Sequence, residues 1–543
     1  MKRTPILHPI LLALFPVLAL LAANRHQFRL EVLWAPALGT AGAALAGWLI
    51  LTAVLKNARK AGLIVSLFAV LFFSYAHLVG VLPQVTVAAH GIKVGTPHMV
   101  AGAAIAALAV GAYLAVRTRN DLFNLTRILN FTAAILVVIP SLRIASYQMR
   151  NAARADDRPT PVSRGRPAPS RGQPHRPPDI YYIILDGYAG ADVLRTIFNY
   201  DNTPFLQYLA DKGFFVAGRS RSNYSQTVLS LASCLNMQYL DGLMRGVNPE
   251  SSDNTQYAQF IAKSEFVRLL KERGYRFAAF SSGYYLTDVK SADLYFASGS
   301  LDEFERGVIG ATPLAATGSS WKEQREIVEF ALDHLADTTD CVGPLFVFAH
   351  IVAPHPPFVF GPDGEEITPM GEFTMADGSH LVGLTDISWD EYRRGYLAQL
   401  QYVNKRMRGV IDSILSRSRT DPVIIIQGDH GPGSLLDQES AERTCLTERF
   451  SILNAYRLPG AAGGYLYDAI TPVNTFRVLL NRYFSADYEL LPDECYFTTW
   501  SKPFKYIRVT DALEKEDVPG ALARAKLRPG AGAPDPSAPG AAR

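Results

Sequence analysis

The chain has 543 residues, 48% of them hydrophobic and 19% charged, with a net charge of +3. That length exceeds one ordinary domain, and a charge this close to balance gives no strong case for nucleic acid as a partner. The four cysteines, Cys234, Cys341, Cys445 and Cys495, form no C-x-x-C pair, which rules out a zinc ribbon or thioredoxin-type motif and leaves a disulfide open only outside the cytoplasm.

The long apolar runs crowd into the first 145 positions. Ile6–Ala23, behind Lys2 and Arg3, suits a signal peptide by itself, but further runs follow, which favours a retained first span. They are Val32–Leu55, Ala61–Leu82, Met99–Val116 and about Leu122–Leu142, most of them near or above the roughly 20 residues that cross a bilayer core. The last carries Asn124, Arg127, Asn130 and Pro140 and is the weakest of the five. Lys2, Arg3, Lys56, Arg59, Lys60, Arg117, Arg119 and Arg127 fall on one side of such a bundle, against Arg25, Arg29 and Lys93 on the other. The first side is expected to be cytoplasmic. Five spans then put the rest of the chain on the outer face; four would leave it inside.

Residues 146–178 are rich in Arg, Pro, Ser and Gly without apolar period, and are expected to form a disordered linker. Its arginines suit anionic head groups and plain solvation equally. Residues 179–510 read as one catalytic domain, and 511–543 as a mostly disordered tail. Within 179–510, strands are predicted at Ile180–Leu185, Phe277–Phe280, Leu345–Ala349 and Val423–Ile426, alternating with helical patterns at Phe266–Arg273, Trp321–Leu335 and Tyr392–Leu415. The expectation is a mostly parallel sheet flanked by helices.

Four sites carry chemistry. Asp186 and Gly187 end the first of these strands, where an Asp-Gly turn is the plain alternative. Thr227 opens an apolar helical pattern, Val228, Leu231, Leu235; it sits where backbone N–H groups hold an anion, although Thr227 or Ser225 as a simple cap fits the same pattern. His350 and His355 bracket a proline-containing loop after a strand and suit oxyanion binding or leaving-group protonation; alternatively one is structural and the other exposed. Asp429 and His430 follow the run Val-Ile-Ile-Ile-Gln-Gly, where open α/β sheets bind ligands. Carboxylate plus imidazole is a partial set for zinc or manganese, and a plain turn with an Asp cap is the alternative.

Together, Leu185-Asp186-Gly187, Thr227-x-x-Ser230-Leu-x-Ser233, His350-x4-His355-Pro and Gly428-Asp429-His430-Gly431 resemble the alkaline phosphatase/sulfatase-like superfamily. In layout the chain is similar to its membrane enzymes with five N-terminal spans, the lipoteichoic acid synthases and lipid A phosphoethanolamine transferases. The resemblance implies one divalent metal ion, zinc or manganese, with magnesium also admissible. It implies Asp186, Thr227, Asp429 and His430 as ligands, Thr227 as nucleophile, and His350 and His355 beside the transferred group. Ser225 is the competing nucleophile. Two departures stand out: Gly433–Thr447 lacks the further histidine of the transferases, and the Cys-x-Pro-Ser-Arg motif of formylglycine sulfatases is missing. Sulfate-ester hydrolysis by that route is therefore not expected.

The leading expectation is a phosphoester transferase of the inner membrane. It would move a phospholipid-derived phospho-head group onto a glycan or lipid head-group acceptor through a phospho-threonine, with its catalytic domain in the periplasm or outside. Water as acceptor would make it a phosphodiesterase or other ester hydrolase. A catalytically silent membrane scaffold or sensor is the reading from another class, and an intact set of candidate ligands speaks against it.

Overall fold

Ile180–Leu185 (β1) sets six apolar or aromatic side chains in succession, and all six are buried in the computed structural model of the chain. The structure describes residues 4–25, 28, 30–82, 86–89, 92–155, 177–317, 319–369, 373–460 and 466–526. The chain divides into two units, one of residues 1–158 with 301–320, the other of residues 159–300 with 321–543.

The second unit is built on a seven-stranded sheet. Besides β1 it contains Phe215–Val216 (β2), Arg276–Phe280 (β3), Leu294–Phe296 (β4), Leu345–Ile351 (β5), Val423–Gln427 (β6) and Asn454–Arg457 (β7). The order across the sheet is β2-β7-β6-β1-β5-β3-β4. β6, β1, β5, β3 and β4 run parallel, whereas β7 is antiparallel to both β6 and β2. Side chains alternate between the faces of a strand. Accordingly Tyr181, Ile183 and Leu185 join a core with Tyr396, Leu400, Val403 and Ile411 of the helix Trp389–Arg417. Ile180, Tyr182 and Ile184 join a second core with Val228, Leu231 and Leu235 of the helix Thr227–Asn236 and Phe476 of the helix Pro472–Tyr483. Burial on both faces explains why β1 and β6 read as unbroken apolar runs rather than alternating ones.

Ser388 fixes where the 29-residue helix Trp389–Arg417 begins: its side chain accepts from the Glu391 N–H while Glu391 reaches back to the Ser388 N–H. Such a capping box satisfies two otherwise orphaned donors. The helix then carries Tyr392 and Tyr396 past the carboxyl ends of the sheet strands. Register places Ile184 opposite His350 and, on its other side, opposite Gln427. The residues just beyond β6, β1 and β5 are therefore neighbours in space.

Two boundaries differ from expectation. The helix Phe123–Ala155 continues into the start of the expected linker; residues 156–176 lie outside the described residues. In the expected tail, Thr510–Leu513 and Val518–Lys526 are helical, because Leu513 and Val509 pack with Cys495 and Phe497, and Glu516 caps the Leu446 and Thr447 N–H groups at 2.7 and 2.6 Å; residues 527–543 lie outside the described residues. The four thiols are free.

Among the described residues of the first unit, three helices are long and apolar enough to cross a membrane, Leu30–Leu55, Thr96–Arg117 and Phe123–Met149. The pair Ala58–Phe73 and Tyr75–Val81, bent by 43°, makes up to four if it is one span. The first predicted span is a shorter apolar helix, His8–Ala23, of 16 residues. Lys60 Nζ donates to the Val116 and Thr118 carbonyls at 2.8 and 2.9 Å, and Arg59 pairs with Asp121, so two of the cationic turns assigned to one side do meet. The segment 301–320 belongs to this helical unit. Phe304 packs edge-on against Phe28 at 5.3 Å, and the Ala76 N–H donates to the Ala311 carbonyl at 3.4 Å.

Candidate metal and nucleophile site

The ends of β1, β5 and β6 deliver four buried polar groups. Asp186 follows β1 directly, and its turn is possible because Gly187 takes φ +72°, a left-handed conformation costly for residues with a Cβ. Asp429 and His430 follow β6 by one residue, and His350 lies near the end of β5. Asp186, Asp429, His430 and His350 are each no more than 2% exposed. Thr227 arrives from another layer as the first residue of its helix, with Gln226 in extended conformation before it.

One ligand atom each from Asp186, Asp429 and His430 lies within 4.8 Å of the others. His430 Nδ1 faces the Gly431 carbonyl at 2.9 Å. A proton there leaves the Nε2 lone pair turned inward, 3.0 Å from Thr227 Oγ1, 3.3 Å from Asp429 Oδ2 and 3.6 Å from Asp186 Oδ1. Asp429 Oδ1 accepts from the Gly187 N–H at 3.1 Å. Asp429 Oδ2 and Asp186 Oδ1 are buried and have no hydrogen-bond partner among the described residues. Two buried carboxylate oxygens aimed at one point, with nothing to satisfy them, are costly unless a cation sits there. The donor set of two carboxylates, an imidazole and a hydroxyl suits zinc or manganese. The residues therefore fit the divalent ion that the sequence implied.

Ser225 and Thr227 are now distinguishable. The Ser225 hydroxyl accepts from the Thr498 N–H at 3.2 Å, whereas the Thr227 hydroxyl faces His430. The two histidines also differ. His350 has both ring nitrogens engaged, Nε2 with Asp186 Oδ2 at 3.0 Å and Nδ1 with the Thr287 hydroxyl at 2.7 Å. That geometry holds Asp186 in place and leaves His350 no nitrogen for a transferred group. His355 keeps Nε2 free of close partners, 3.8 Å from Asp377 Oδ2, while Nδ1 bonds the Pro356 carbonyl.

Burial opposes charge on Asp186, but His355, then His350 and His430, outweigh it and hold its carboxyl well below the usual range. Burial likewise opposes charge on His355, and here the Asp186 and Asp377 carboxylates win and raise it. His430 is lowered, by burial and then by Arg449, which keeps its ring neutral as a ligand must be.

Sequence reasoning missed Asp377 and Arg449. They form a buried ion pair at 3.1 Å, with Tyr392 donating to Asp377 at 2.8 Å. Asp377 caps the N-terminus of the helix Gly378–Thr385, and Arg449 lies in the five-residue helix Leu446–Phe450. Neither stands in a motif, and their pairing spans 72 positions.

A family model described as Sulfatase matches residues 178–476, which is just over half of the chain. No curated protein sequence matches the chain. Solved structures similar to the chain include three enzymes. One is the integral membrane lipooligosaccharide phosphoethanolamine transferase A from Neisseria meningitidis, at 13% identity and TM-score 0.39, covering 89% of this chain and 94% of that one. Another is the C-terminal periplasmic domain of EcEptC from Escherichia coli in complex with Zn, at 10% and 0.41, covering 66% and 98%. The third is the phosphonate monoester hydrolase of Agrobacterium radiobacter, at 14% and 0.37, covering 59% and 80%.

Proposed function

Because the chain belongs to the sulfatase family, we propose that it is a membrane-anchored, metal-dependent phosphoester transferase with Thr227 as nucleophile. One observation carries this reading: the Thr227 hydroxyl, at a helix start, lies 3.0 Å from His430 Nε2 beside two carboxylate oxygens that have no other partner among the described residues. Asp186 Oδ1, Asp429 Oδ2, His430 Nε2 and Thr227 Oγ1 would hold the ion. A divalent cation bound there lowers the pKa of the threonine hydroxyl and offsets charge on the phosphoryl oxygens.

The chain's own groups do the rest. Thr227 Oγ1, entering the cycle as the alkoxide after its proton has passed to solvent, attacks phosphorus in line, forming a P–O bond as the bond to the first alcohol breaks. The N–H groups of the first turn of Thr227–Asn236 face the phosphoryl oxygens and stabilise their charge. His355 Nε2, whose protonated form the Asp186 and Asp377 carboxylates favour, gives its proton to the departing alkoxide. A second alcohol then loses its proton to His355 Nε2 as it attacks the phospho-threonine, which restores the Thr227 alkoxide and the protonated imidazole. His350 fixes Asp186 throughout.

The long apolar helices of the same chain favour a phospholipid as donor and a glycan or lipid head group as acceptor. The cationic turns favour a catalytic domain on the outer side of the cytoplasmic membrane. The test is to reconstitute the full chain with a phospholipid isotopically labelled in its head group and add a glycan acceptor. Label is expected to appear on the glycan and to stop doing so in Thr227→Ala. Label released only to water would replace transfer with hydrolysis, and turnover undiminished in Thr227→Ala would remove the nucleophile.

A further inference from the structure

Arg449 belongs to none of the motifs, yet it is 3% exposed and bonds three segments that the fold brings in from separate places. Its Nε donates to the Ser225 carbonyl at 2.8 Å, two residues ahead of Thr227. Its Nη1 donates to the Gly431 carbonyl at 3.0 Å and to Asp377 Oδ2 at 3.1 Å. The Gly431 carbonyl is the same one that faces His430 Nδ1 at 2.9 Å. A single acceptor thus joins the guanidinium to the imidazole.

Asp377 is itself held rigidly. Its Oδ1 accepts from the Tyr392 hydroxyl and the Gly378 N–H, each at 2.8 Å, and the Tyr392 hydroxyl accepts from the Gly433 N–H at 3.0 Å. Desolvating an ion pair this deeply costs about what its attraction returns, so stability alone is a weak reason for it. What the pair does supply is geometry. A planar guanidinium offers donors in fixed directions to several acceptors at once, which a lysine ammonium on a flexible stem does not reproduce.

We propose that Arg449 is a positioning residue that fixes the spacing between the Thr227 segment and the Asp429–His430 turn, with Asp377 as its buried anchor. It touches neither ion nor substrate. It acts through the Ser225 and Gly431 carbonyls, which set where the Thr227 hydroxyl and His430 Nε2 meet. The proposal rests on the reading of this site as a metal site with Thr227 as nucleophile.

The test is zinc titration calorimetry on the full-length protein in detergent, using wild type, Arg449→Lys and Arg449→Ala, with melting temperatures measured in parallel. Arg449→Lys keeps the charge and is expected to weaken zinc binding by about tenfold or more, the usual effect of removing an outer partner of a ligand. Free guanidinium at millimolar concentration is expected to restore zinc binding to Arg449→Ala but to leave Arg449→Lys unchanged, a difference that a general loss of stability does not produce. Hydrolysis of an aryl phosphodiester by Arg449→Lys is expected to lose kcat with KM within about twofold. Zinc affinity in Arg449→Lys equal to wild type overturns the proposal and leaves the proposed function standing. Absence of zinc binding by wild type overturns both. Zinc binding by wild type without phosphodiester turnover overturns the proposed function alone, and the calorimetry still decides the role of Arg449.

Discussion

Glu448 is wholly buried next to Arg449, yet its carboxyl contacts Ser434 and the Leu435 N–H, the latter at 2.7 Å, rather than a cation. Burial pushes its pKa up from 4.5 to about 8, against the pull of those two hydrogen bonds. The folded protein therefore keeps a proton that the unfolded chain has lost between about pH 4.5 and 8. Stability from this group falls as pH rises through that window and levels off above it, with a total on the order of a few kcal/mol. Glu448→Gln can donate to Ser434 and accept from Leu435 without titrating. It is expected to raise the melting temperature at about pH 8.5 clearly more than at about pH 5.5. Equal shifts at both would mean that Glu448 is not the group responsible. At this scale Asp186, Thr227, Asp429 and His430 were legible because each directly follows an apolar strand or opens an apolar helix. The roles of His350 and His355 were not separable in sequence: what tells them apart is Thr287, 63 positions from His350, and Asp377, 22 positions from His355 at the cap of the helix Gly378–Thr385.

The turn between β6 and the helix Leu446–Phe450 shows how little room the site has. A Cβ on Gly431 would run into the Glu448 carbonyl oxygen and come within 3.0 Å of the Ser451 carbonyl, both of them backbone atoms that do not rotate away. Gly431→Ala is expected to cost about 1–3 kcal/mol in denaturant unfolding. Because the clash falls one residue after His430, it is also expected to weaken zinc binding measured by calorimetry. Unchanged zinc affinity would show that the turn tolerates a shift without moving the ligands. The central strands and the long helix were readable because burial on both sheet faces writes itself as β-branched runs, and a capped helix as a 3.6-residue period. The antiparallel edge was not. β7 reads Asn-Ala-Tyr-Arg, too short and too polar to declare itself, and β2 has two residues; both exist through pairing with distant chain.

For the chain as a whole, the division into an apolar helical unit and an α/β unit was legible from composition, because a membrane core and a protein core demand different lengths of apolar residues. The number of spans was less so. His8–Ala23 carries Pro16, and the third run bends between Phe73 and Tyr75, features that hydropathy alone averages away. The allotment of residues 301–320 to the helical unit depends on Phe304 meeting Phe28, a pairing that no local pattern announces. These apolar helices sit in the same chain as the Thr227 site, and under the proposed function they would keep that site tethered to the membrane that supplies a lipid donor. The most direct test of the account is intact-peptide mass spectrometry of the full-length protein reconstituted with zinc and a head-group-labelled phospholipid, without acceptor. A phosphoester of the labelled head group is predicted on Thr227, and it should disappear when an acceptor alcohol is added. Active transfer with no adduct on Thr227, or with the adduct on Ser225, would contradict it.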